Sequence, residues 1–456
     1  MIPNECKRLA EVDFPIANVS RSAMLENSQR GSHPKGLHLW WARRPLAACR
    51  SILLALLLPD PADKNCPIIL RDKIRQILLN NPLRPKRWES DSKDPKGLRR
   101  IMIEFISDFS HPEFARKYEN LRCARKLVAA MYEAERPVVY DSFAGGGSIP
   151  LEALRIGCDS IGSDYNPLAC LILRTELELL PRYGGEIINK FIKAGNIIFN
   201  RFKLRIEEYY CGFETGETPI AYFWARQATC ESPNCGVEFP LATSFWLCKK
   251  KGNEKAIKIL DENEKDLKLT VFSPTTSAEV LQSTVANGKA RCPKCGNVLN
   301  NDRLRAQLSK DRGGIEKSRL ISIVTQGLSG RKKYLDATPE NIKAAEKATS
   351  KVKNLQKKST DLILQPFPNE HIPRSELRRI SPPLYGCVSW EDLFLPRQRL
   401  ALHFLIEEIR KYVLETNQDN LLPLLALSLG KVARHWNRSE ERRVGKECRS
   451  RWSPYH

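Results

Sequence analysis

The sequence predicts an α/β fold of the doubly wound type, in which helices cover a parallel sheet, and two neighbouring segments support this prediction. Residues 138–154, VVYDSFAGGGSIPLEAL, have the pattern of a strand, a glycine-rich turn and a helix. Residues 158–173, CDSIGSDYNPLACLIL, repeat that order. Strand and helix patterns alternate in this way through about residue 200, which is typical of a parallel sheet.

The first segment places Gly145, Gly146 and Gly147 between the strand and the helix. VVY is typical of a buried strand, and the helix SIPLEALRIG ends at Gly157, a suitable residue to follow a helix end. Glycines let a ligand come close to the backbone, and the N-terminus of a helix favours negative charge. An NAD-binding turn needs glycine at the sixth position of its motif, where this chain has Pro150. NAD therefore fits this turn poorly.

The second segment places Asp164 at the end of the second strand. Asn166 has the position of a helix N-cap, and Pro167 that of the first helical residue. In nucleotide-binding folds an acidic residue at this place accepts hydrogen bonds from ribose hydroxyls. The glycine turn and Asp164 together predict a site for a nucleoside-containing cofactor.

The composition favours an intracellular protein that meets a polyanion. The chain has 456 residues and a formal net charge of +21. Such a surplus favours a nucleic acid partner, although a solvated basic surface is an alternative. The N-terminus has no signal-peptide pattern, and the apolar run SILLALLLP is too short to span a bilayer. We expect a cytoplasmic protein with no membrane partner, in which paired cysteines indicate metal rather than disulfides.

The two segments resemble the cofactor motifs of S-adenosylmethionine-dependent methyltransferases, especially the amino-methylating DNA enzymes. The resemblance rests on DSFAGGGSIPLEA followed by GSDYNP. It implies a Rossmann-like methyltransferase core and S-adenosyl-L-methionine as cofactor. Carried over to this chain, it implies five cofactor-binding residues: Asp141, Phe143, Gly145, Gly147 and Asp164. A generic α/β turn without a cofactor is the alternative.

Most of the chain, to about residue 436, resembles a narrower group, the adenine-specific DNA methylases that contain a zinc ribbon (the DUF1156 family). The resemblance rests on EVDFPIANVSRSA, HPKGLHLWWARRPLAACRSILLALLLPDP and PLYGCVSWEDLFLPRQRLAL. It implies that the N-terminal segment completes the cofactor pocket and that LHLWWARRP packs near the methionine end. Alternatively, Trp40 and Trp41 are core residues and Arg43 and Arg44 lie on the surface.

Two cysteine pairs predict a structural zinc site. Cys230 and Cys235 lie in CESPNCG, and Cys292 and Cys295 lie in CPKCG. Such knuckles let backbone N–H groups donate to thiolates, while glycine relieves the tight turn. Four thiolates give a closed tetrahedral site. Cys248 is expected to be a bystander.

The residue patterns and the family resemblance together predict seven segments along the chain. The basic stretch from about residue 302 to 358 can contact phosphates, and a solvated helical face is the alternative. The predicted segments are an N-terminal DUF1156-type segment (1–60), a helical and loop region (61–135), the cofactor-binding α/β core (136–213), a zinc-ribbon insertion (214–300), a basic, DNA-contacting helical segment (301–380), helices that return to the core (381–438) and a non-native tail (439–456).

The catalytic motif of adenine amino methylation, Asp/Asn/Ser-Pro-Pro-aromatic, has no good counterpart. Its role is to hold a flipped base. The candidate SPPL begins at Ser381 and has Leu384 where an aromatic ring belongs. We interpret it as a decoy and the chain as a truncated form with an incomplete core, so its catalytic residues are unknown.

The function implied is S-adenosylmethionine-dependent methylation of adenine N6 in DNA. Restriction or anti-phage proteins are further candidate partners. The alternatives are an RNA methyltransferase of the guanine-N2 type and a non-catalytic nucleic-acid-binding fragment.

Overall fold

The computed structural model describes residues 2–28, 34–133, 135–210, 217–261, 266–315, 317–327, 329–358, 365–373 and 382–435. These residues form a mixed helix and sheet protein that divides into two compact units. One unit contains residues 1–195 and 416–431, and the other is centred on residues 196–415. The tail 439–456 and Ser381 lie outside the described residues.

Helices dominate the first unit. Its α-helices are α1 (Ile16–Ser28), α2 (Leu46–Leu57), α3 (Ile68–Leu79), α4 (Trp88–Asp91), α5 (Pro95–Ser110), α6 (Pro112–Arg116), α7 (Tyr118–Met131), α8 (Ser148–Arg155), α9 (Pro167–Leu173), α10 (Leu180–Ile206) and α14 (Leu422–His435). The last residues of α10 and of α14 belong to the second unit. A π-helix (Arg174–Leu179) joins α9 to α10.

The core of this unit is built from α2, α3, α5 and α7. The apolar run that begins at Ser51 forms most of α2 and buries Leu53, Leu54 and Leu58. Helix α5 begins where Asp94 accepts a hydrogen bond from the Gly97 N–H at 2.9 Å, a side-chain N-cap. The large side chains of this core are Trp88, Phe105 and Phe109 together with leucines and isoleucines of the four helices.

The parallel sheet is smaller than the sequence predicts. Strand β1 (Val138–Asp141) pairs in parallel with β2 (Asp159–Gly162). Within the described residues no other strand joins this pair, and the structure does not show the larger doubly wound sheet. The alternation of strands and helices expected through about residue 200 is wrong, because residues 167–206 form helices, interrupted by a kink at Gly184. Helix propensity and the apolar stripe of this stretch prevail over the α/β pattern.

The expectation that VVY is buried is wrong for one face of β1. Val139 packs on the helical core, whereas Val138 and Tyr140 are 61% and 63% exposed. Successive side chains of a strand point to opposite faces of the sheet, and only one face of this pair is covered. Ile161 of β2 is also exposed.

The second unit carries three antiparallel sheets. A four-stranded sheet has the order β12-β11-β3-β4, and two three-stranded sheets have the orders β5-β6-β7 and β10-β9-β8. The strands are β3 (Thr218–Thr229), β4 (Glu238–Leu241), β5 (Trp246–Cys248), β6 (Lys255–Asp261), β7 (Lys268–Phe272), β8 (Val285–Ala286), β9 (Lys289–Arg291), β10 (Val298–Leu299), β11 (Arg319–Gln326) and β12 (Lys332–Asp336).

The helices of the second unit are α11 (Asn301–Lys310), α12 (Pro339–Lys358) and α13 (Pro396–Thr416). The sequence predicted a helical segment at 301–380. The structure instead places the strands β11 and β12 between α11 and α12. Strand β11 lies inside the four-stranded sheet beside β3, because LISIVT is a continuous apolar and β-branched run that suits a buried strand. The segment 381–438 contains the helices α13 and α14, and its return to the core stays a prediction. In the part of the chain that the structure describes, no helix combines the length and apolarity needed to cross a bilayer.

Candidate functional site

The glycine turn lies at the carboxyl ends of β1 and β2. The N–H of Ser163 donates to the Asp141 carbonyl at 3.0 Å, and the N–H of Ala144 donates to the Ser163 carbonyl at 2.9 Å. These two bonds continue the parallel pairing beyond the strands. Gly145 and Gly147 have φ of +51° and +75°, in the left-handed region that favours glycine. The run of glycines is thus required in part by the turn itself.

Asp164 is bonded to the same turn. Its Oδ2 accepts a hydrogen bond from the Gly145 N–H at 2.8 Å, and its Oδ1 accepts one from the Asn166 N–H at 2.8 Å. Asn166 caps α9 by accepting a hydrogen bond from the Leu168 N–H at 2.9 Å, so the N-cap prediction is confirmed. An ionised carboxylate can accept about four hydrogen bonds, so two of its acceptor positions remain for a ligand.

The other residues implied by the resemblance lie at the same edge of the sheet. Asp141 accepts a hydrogen bond from the Phe143 N–H at 3.1 Å, which tightens the turn after β1. The side chain of Phe143 is 82% exposed, and Tyr165, which follows Asp164, is 97% exposed. The structure therefore brings all five residues to the ends of the two strands, and their contact with a cofactor stays a prediction.

Two side chains of the N-terminal segment pack directly on the glycines. A Cβ added to Gly145 would lie 2.5 Å from Trp40 Nε1, and one added to Gly146 would lie 2.9 Å from Arg43 Nε. These distances are below any ordinary contact, so the glycines make room for Trp40 and Arg43. The close approach that the sequence suggested is made here by the chain itself.

Neither alternative for LHLWWARRP describes the segment fully. Trp40 is buried and stacks on Trp41, with ring centroids 4.3 Å apart, whereas Trp41 is 61% exposed. The side chain of Arg43 is 7% exposed, whereas Arg44 is exposed and uses its carbonyl to accept a hydrogen bond from Ser148 Oγ at 2.7 Å. Trp40 and Arg43, the less exposed residue of each pair, thus face the turn.

Glu176 is a site residue that the sequence analysis missed. It lies on the π-helix, its side chain is 4% exposed, and its Oε1 is 3.1 Å from Arg43 Nη2. A Cβ added to Gly147 would lie 2.9 Å from Glu176 Oε2. Burial raises the pKa of the Glu176 carboxyl above its ordinary value, although Arg43 acts in the opposite direction. Ile172, Glu176 and Leu179 have the spacing of one buried helix face. This spacing is the sequence signal that could have identified Glu176 as a buried residue.

The four predicted metal ligands meet in the second unit. The sulfur atoms of Cys230, Cys235, Cys292 and Cys295 all lie within 4.8 Å of one another. Cys230 Sγ is 3.4 Å from Cys295 Sγ, and Cys235 Sγ is 3.8 Å from Cys292 Sγ. Tetrahedral zinc with bonds of about 2.3 Å separates its sulfurs by about 3.8 Å. The cluster therefore has dimensions suited to a zinc ion, and these cysteines could bind one.

The backbone around the cluster has the form of two knuckles. The N–H of Cys230 donates to the Val237 carbonyl, and the N–H of Cys292 donates to the Asn297 carbonyl, each at 2.9 Å. Gly236 has φ of +61° in the first knuckle, and Gly296 occupies the same place in the second. A backbone N–H bond from Asn297 lowers the pKa of the Cys295 thiol to about 7, whereas burial raises the pKa of the Cys230 thiol and raises that of Cys292 to about 12. Thiolates are the form that binds metal.

The basic segment offers an exposed row of lysines on α12. The exposed lysines of this helix are Lys343, Lys347, Lys351, Lys353, Lys357 and Lys358. Lys347 forms an ion pair with Glu208. The opposite face of α12 packs through Ala344, Ala348 and Val352. This arrangement suits both a phosphate-binding surface and a solvated helix face, so the nucleic acid partner stays a prediction.

The SPPL candidate also lies in the second unit. Residues Pro382–Tyr385 form a short 3-10 helix, and Tyr385 packs beneath the guanidinium groups of Arg226 and Arg305, at 6.0 and 5.4 Å from the ring centroid. Ser381 is outside the described residues.

Comparison with known proteins gives one partial match. No curated protein and no solved structure matches the chain. Trp40 and Arg43, which pack on the glycine turn, lie in the stretch that does match a family model. That model, described as a protein of unknown function (DUF1156), matches residues 13–76.

Proposed function

We propose that this chain is the cofactor-binding part of an S-adenosylmethionine-dependent DNA methyltransferase that acts on the N6 amino group of adenine. The single observation that carries the proposal is the hydrogen bond between the Gly145 N–H and Asp164. It joins a glycine-rich strand-to-helix turn to an acidic residue at the end of the neighbouring parallel strand. Nucleotide-type ligands bind at this edge of parallel α/β units.

The side chains at this edge fit a nucleoside with an amino-acid extension. Asp164 retains acceptor positions that suit two ribose hydroxyls. Gly145 and Gly147 present backbone without a Cβ, and the N-terminus of α8 favours an anionic group. The exposed rings of Phe143 and Tyr165 offer stacking surface for an adenine. The doubly wound core of the methyltransferase fold belongs to this proposal, with β1 and β2 as its first two strands.

The bound cofactor would supply a methyl group on a positively charged sulfur. The residues of this chain would then act by orientation. Asp164 would hold the ribose, the turn from Asp141 to Gly147 would hold the amino-acid side, and Trp40 would exclude water from the glycines. Such positioning lowers the entropic part of the barrier to transfer.

Adenine in DNA is proposed as the target because of the resemblance to zinc-ribbon adenine methylases and the partial family match at residues 13–76. The exposed lysines of α12 supply charge for phosphates.

The four-cysteine cluster is proposed to hold a structural zinc ion that braces the hairpins around it, since a closed site of four thiolates has no open position for catalysis.

Ultraviolet crosslinking tests the proposed site. Radiolabelled S-adenosylmethionine is irradiated with the chain, and the labelled peptide is identified after proteolysis. We expect label on a peptide within residues 138–165, and we expect excess S-adenosylhomocysteine to prevent it. Label that S-adenosylhomocysteine does not displace, or that falls only on other peptides, would contradict the proposal.

A further inference from the structure

The Arg43–Glu176 pair is buried against the glycine turn but only partly bonded. Arg43 Nη2 and Glu176 Oε1 are 3.1 Å apart, and the two side chains are 7% and 4% exposed. Three of their polar atoms are buried and have no hydrogen-bond partner among the described residues, namely Arg43 Nε, Arg43 Nη1 and Glu176 Oε2. Two donors and one acceptor are thus left over.

Leaving charged groups unpaired in a protein interior is unfavourable. A buried donor or acceptor without a partner costs about 1–3 kcal/mol, and more when it is charged. A two-bond contact between guanidinium and carboxylate would satisfy both groups better than the single contact observed. The pair is therefore arranged for additional partners rather than for each other alone.

The positions of the free atoms define the chemistry of those partners. Arg43 Nε lies against Gly146, and Glu176 Oε2 lies against Gly147, at the N-terminus of the eight-residue helix α8. The guanidinium N–H groups and the helix N-terminus both favour an anion. The carboxylate oxygen, in contrast, requires a donor such as an ammonium group. A ligand that carries both groups on neighbouring atoms satisfies the two free atoms that face the turn, Arg43 Nε and Glu176 Oε2.

We propose that Arg43 and Glu176 form a receptor for the zwitterionic α-amino-acid end of the cofactor. The α-carboxylate accepts a hydrogen bond from Arg43 Nε, and the α-ammonium donates to Glu176 Oε2. Trp40 packs on the same turn beside Gly145. This inference rests on the proposed function, because it assigns one end of the cofactor to named side chains.

The π-helix provides independent support. An i→i+5 turn is rare and is found frequently at functional sites, where it directs a side chain that a regular helix would misplace. Here it spans Arg174–Leu179 and carries Glu176 into the interior, while Arg174 and Glu178 on the same turn remain exposed at 58% and 51%. These two exposed residues supply matched controls.

A pair of nucleoside probes tests the receptor with the unaltered chain. S-adenosylhomocysteine carries the zwitterionic end, and 5′-methylthioadenosine lacks it. Calorimetry should show that S-adenosylhomocysteine binds at least ten-fold more tightly. Equal affinity for both probes would overturn the receptor while leaving the nucleoside site intact. Binding of neither probe would contradict the proposed function as well.

Substitutions then assign the effect to the pair. In Arg43→Met and Glu176→Gln, we expect a ten-fold or greater loss of affinity for S-adenosylhomocysteine and little change for 5′-methylthioadenosine. The controls Arg174→Met and Glu178→Gln should bind both probes as the unaltered chain does. An equal loss for both probes would mean that the pair only holds the turn, which would overturn the inference. If the variants fail to fold, the comparison of probes on the unaltered chain decides.

Discussion

The backbone N–H of Gly145 donates a hydrogen bond of 2.8 Å to the carboxylate of Asp164, 19 residues further along the chain. The same carboxylate accepts a second bond from the Asn166 N–H, so Asp164 holds two loops at once. Any ligand that meets Asp164 therefore meets a side chain whose position is already fixed. Fixed acceptors bind a ligand without the entropic cost of ordering them.

The glycine turn should be sensitive to a single added methyl group. Gly145→Ala places a Cβ 2.5 Å from Trp40 Nε1 and forces alanine to a φ of +51°. We expect a loss of about 1–3 kcal/mol in the free energy of unfolding, measured by urea denaturation. Gly195→Ala is the control, because Gly195 lies within α10 with nothing within 4 Å of the added Cβ. That change should be neutral or stabilise by up to about 1 kcal/mol. Equal effects at the two positions would contradict the packing described here.

The cysteine cluster should bind about one zinc ion per chain. We expect metal analysis of the purified protein to find it, and Cys292→Ser with Cys295→Ser to remove it, because both substitutions delete ligands of one knuckle. Cys248→Ser is the control, since Cys248 lies outside the cluster. Treatment with a chelator should lower the melting temperature of the unaltered chain and leave that of the double variant unchanged. Zinc content that survives the double substitution would refute the site.

Stability should depend on pH through His403. Burial lowers the pKa of His403 below its ordinary value of 6.5, even though Glu407 lies 3.4 Å away. The folded chain therefore favours neutral histidine, and the unfolded chain takes up the proton first as the pH falls. The contribution of His403 is complete above about pH 6.5 and is lost as the pH drops through the lower folded pKa.

Urea denaturation between about pH 7.5 and 5 measures this dependence. Relative to His403→Gln, the unaltered chain should lose stability as the pH falls over that range. His371→Gln, at an exposed position, should keep the pH dependence of the unaltered chain. A difference between the chain and His403→Gln that stays constant with pH would contradict the assignment.

We expect methyl transfer by this chain to be undetectable, although we propose that the chain binds the cofactor. The sequence has no Asp/Asn/Ser-Pro-Pro followed by an aromatic residue, and Leu384 in SPPL cannot stack on a flipped base. The assay is transfer of a labelled methyl group to unmethylated DNA, followed by analysis for N6-methyladenine. Clear product that Ser381→Ala abolishes would make SPPL the catalytic motif after all.

Local patterns predicted the edge of the sheet well. The strand and helix order from Val138 to Leu173 and the N-cap at Asn166 both depend on neighbouring residues, and the structure confirms them. The meeting of the four cysteines was also predictable, because paired knuckles imply a shared centre. Each of these features is encoded within a short stretch of chain or by ligand chemistry.

Features that depend on distant packing were not predicted. The apolar run VVY indicates a strand covered on both faces, yet Tyr140 is exposed because nothing among the described residues covers that face. Strand β11 was assigned to a basic helical segment because the flanking charges obscured a short apolar run. Glu176 was missed because an acidic residue on a helix gives no local sign of its partner, Arg43, 133 residues earlier.

Calorimetric titration with S-adenosylhomocysteine tests the central claim most directly. We expect one ligand per chain, and we expect Asp164→Ala to weaken binding by roughly 1.5–3 kcal/mol, the scale of hydrogen bonds to a charged group. The exposed Asp159, on the adjoining strand, gives the control Asp159→Ala, which should bind as the unaltered chain does. Thermal unfolding without ligand shows whether Asp164→Ala still folds. No binding by the unaltered chain, or equal affinity in a folded Asp164→Ala variant, would contradict the cofactor site.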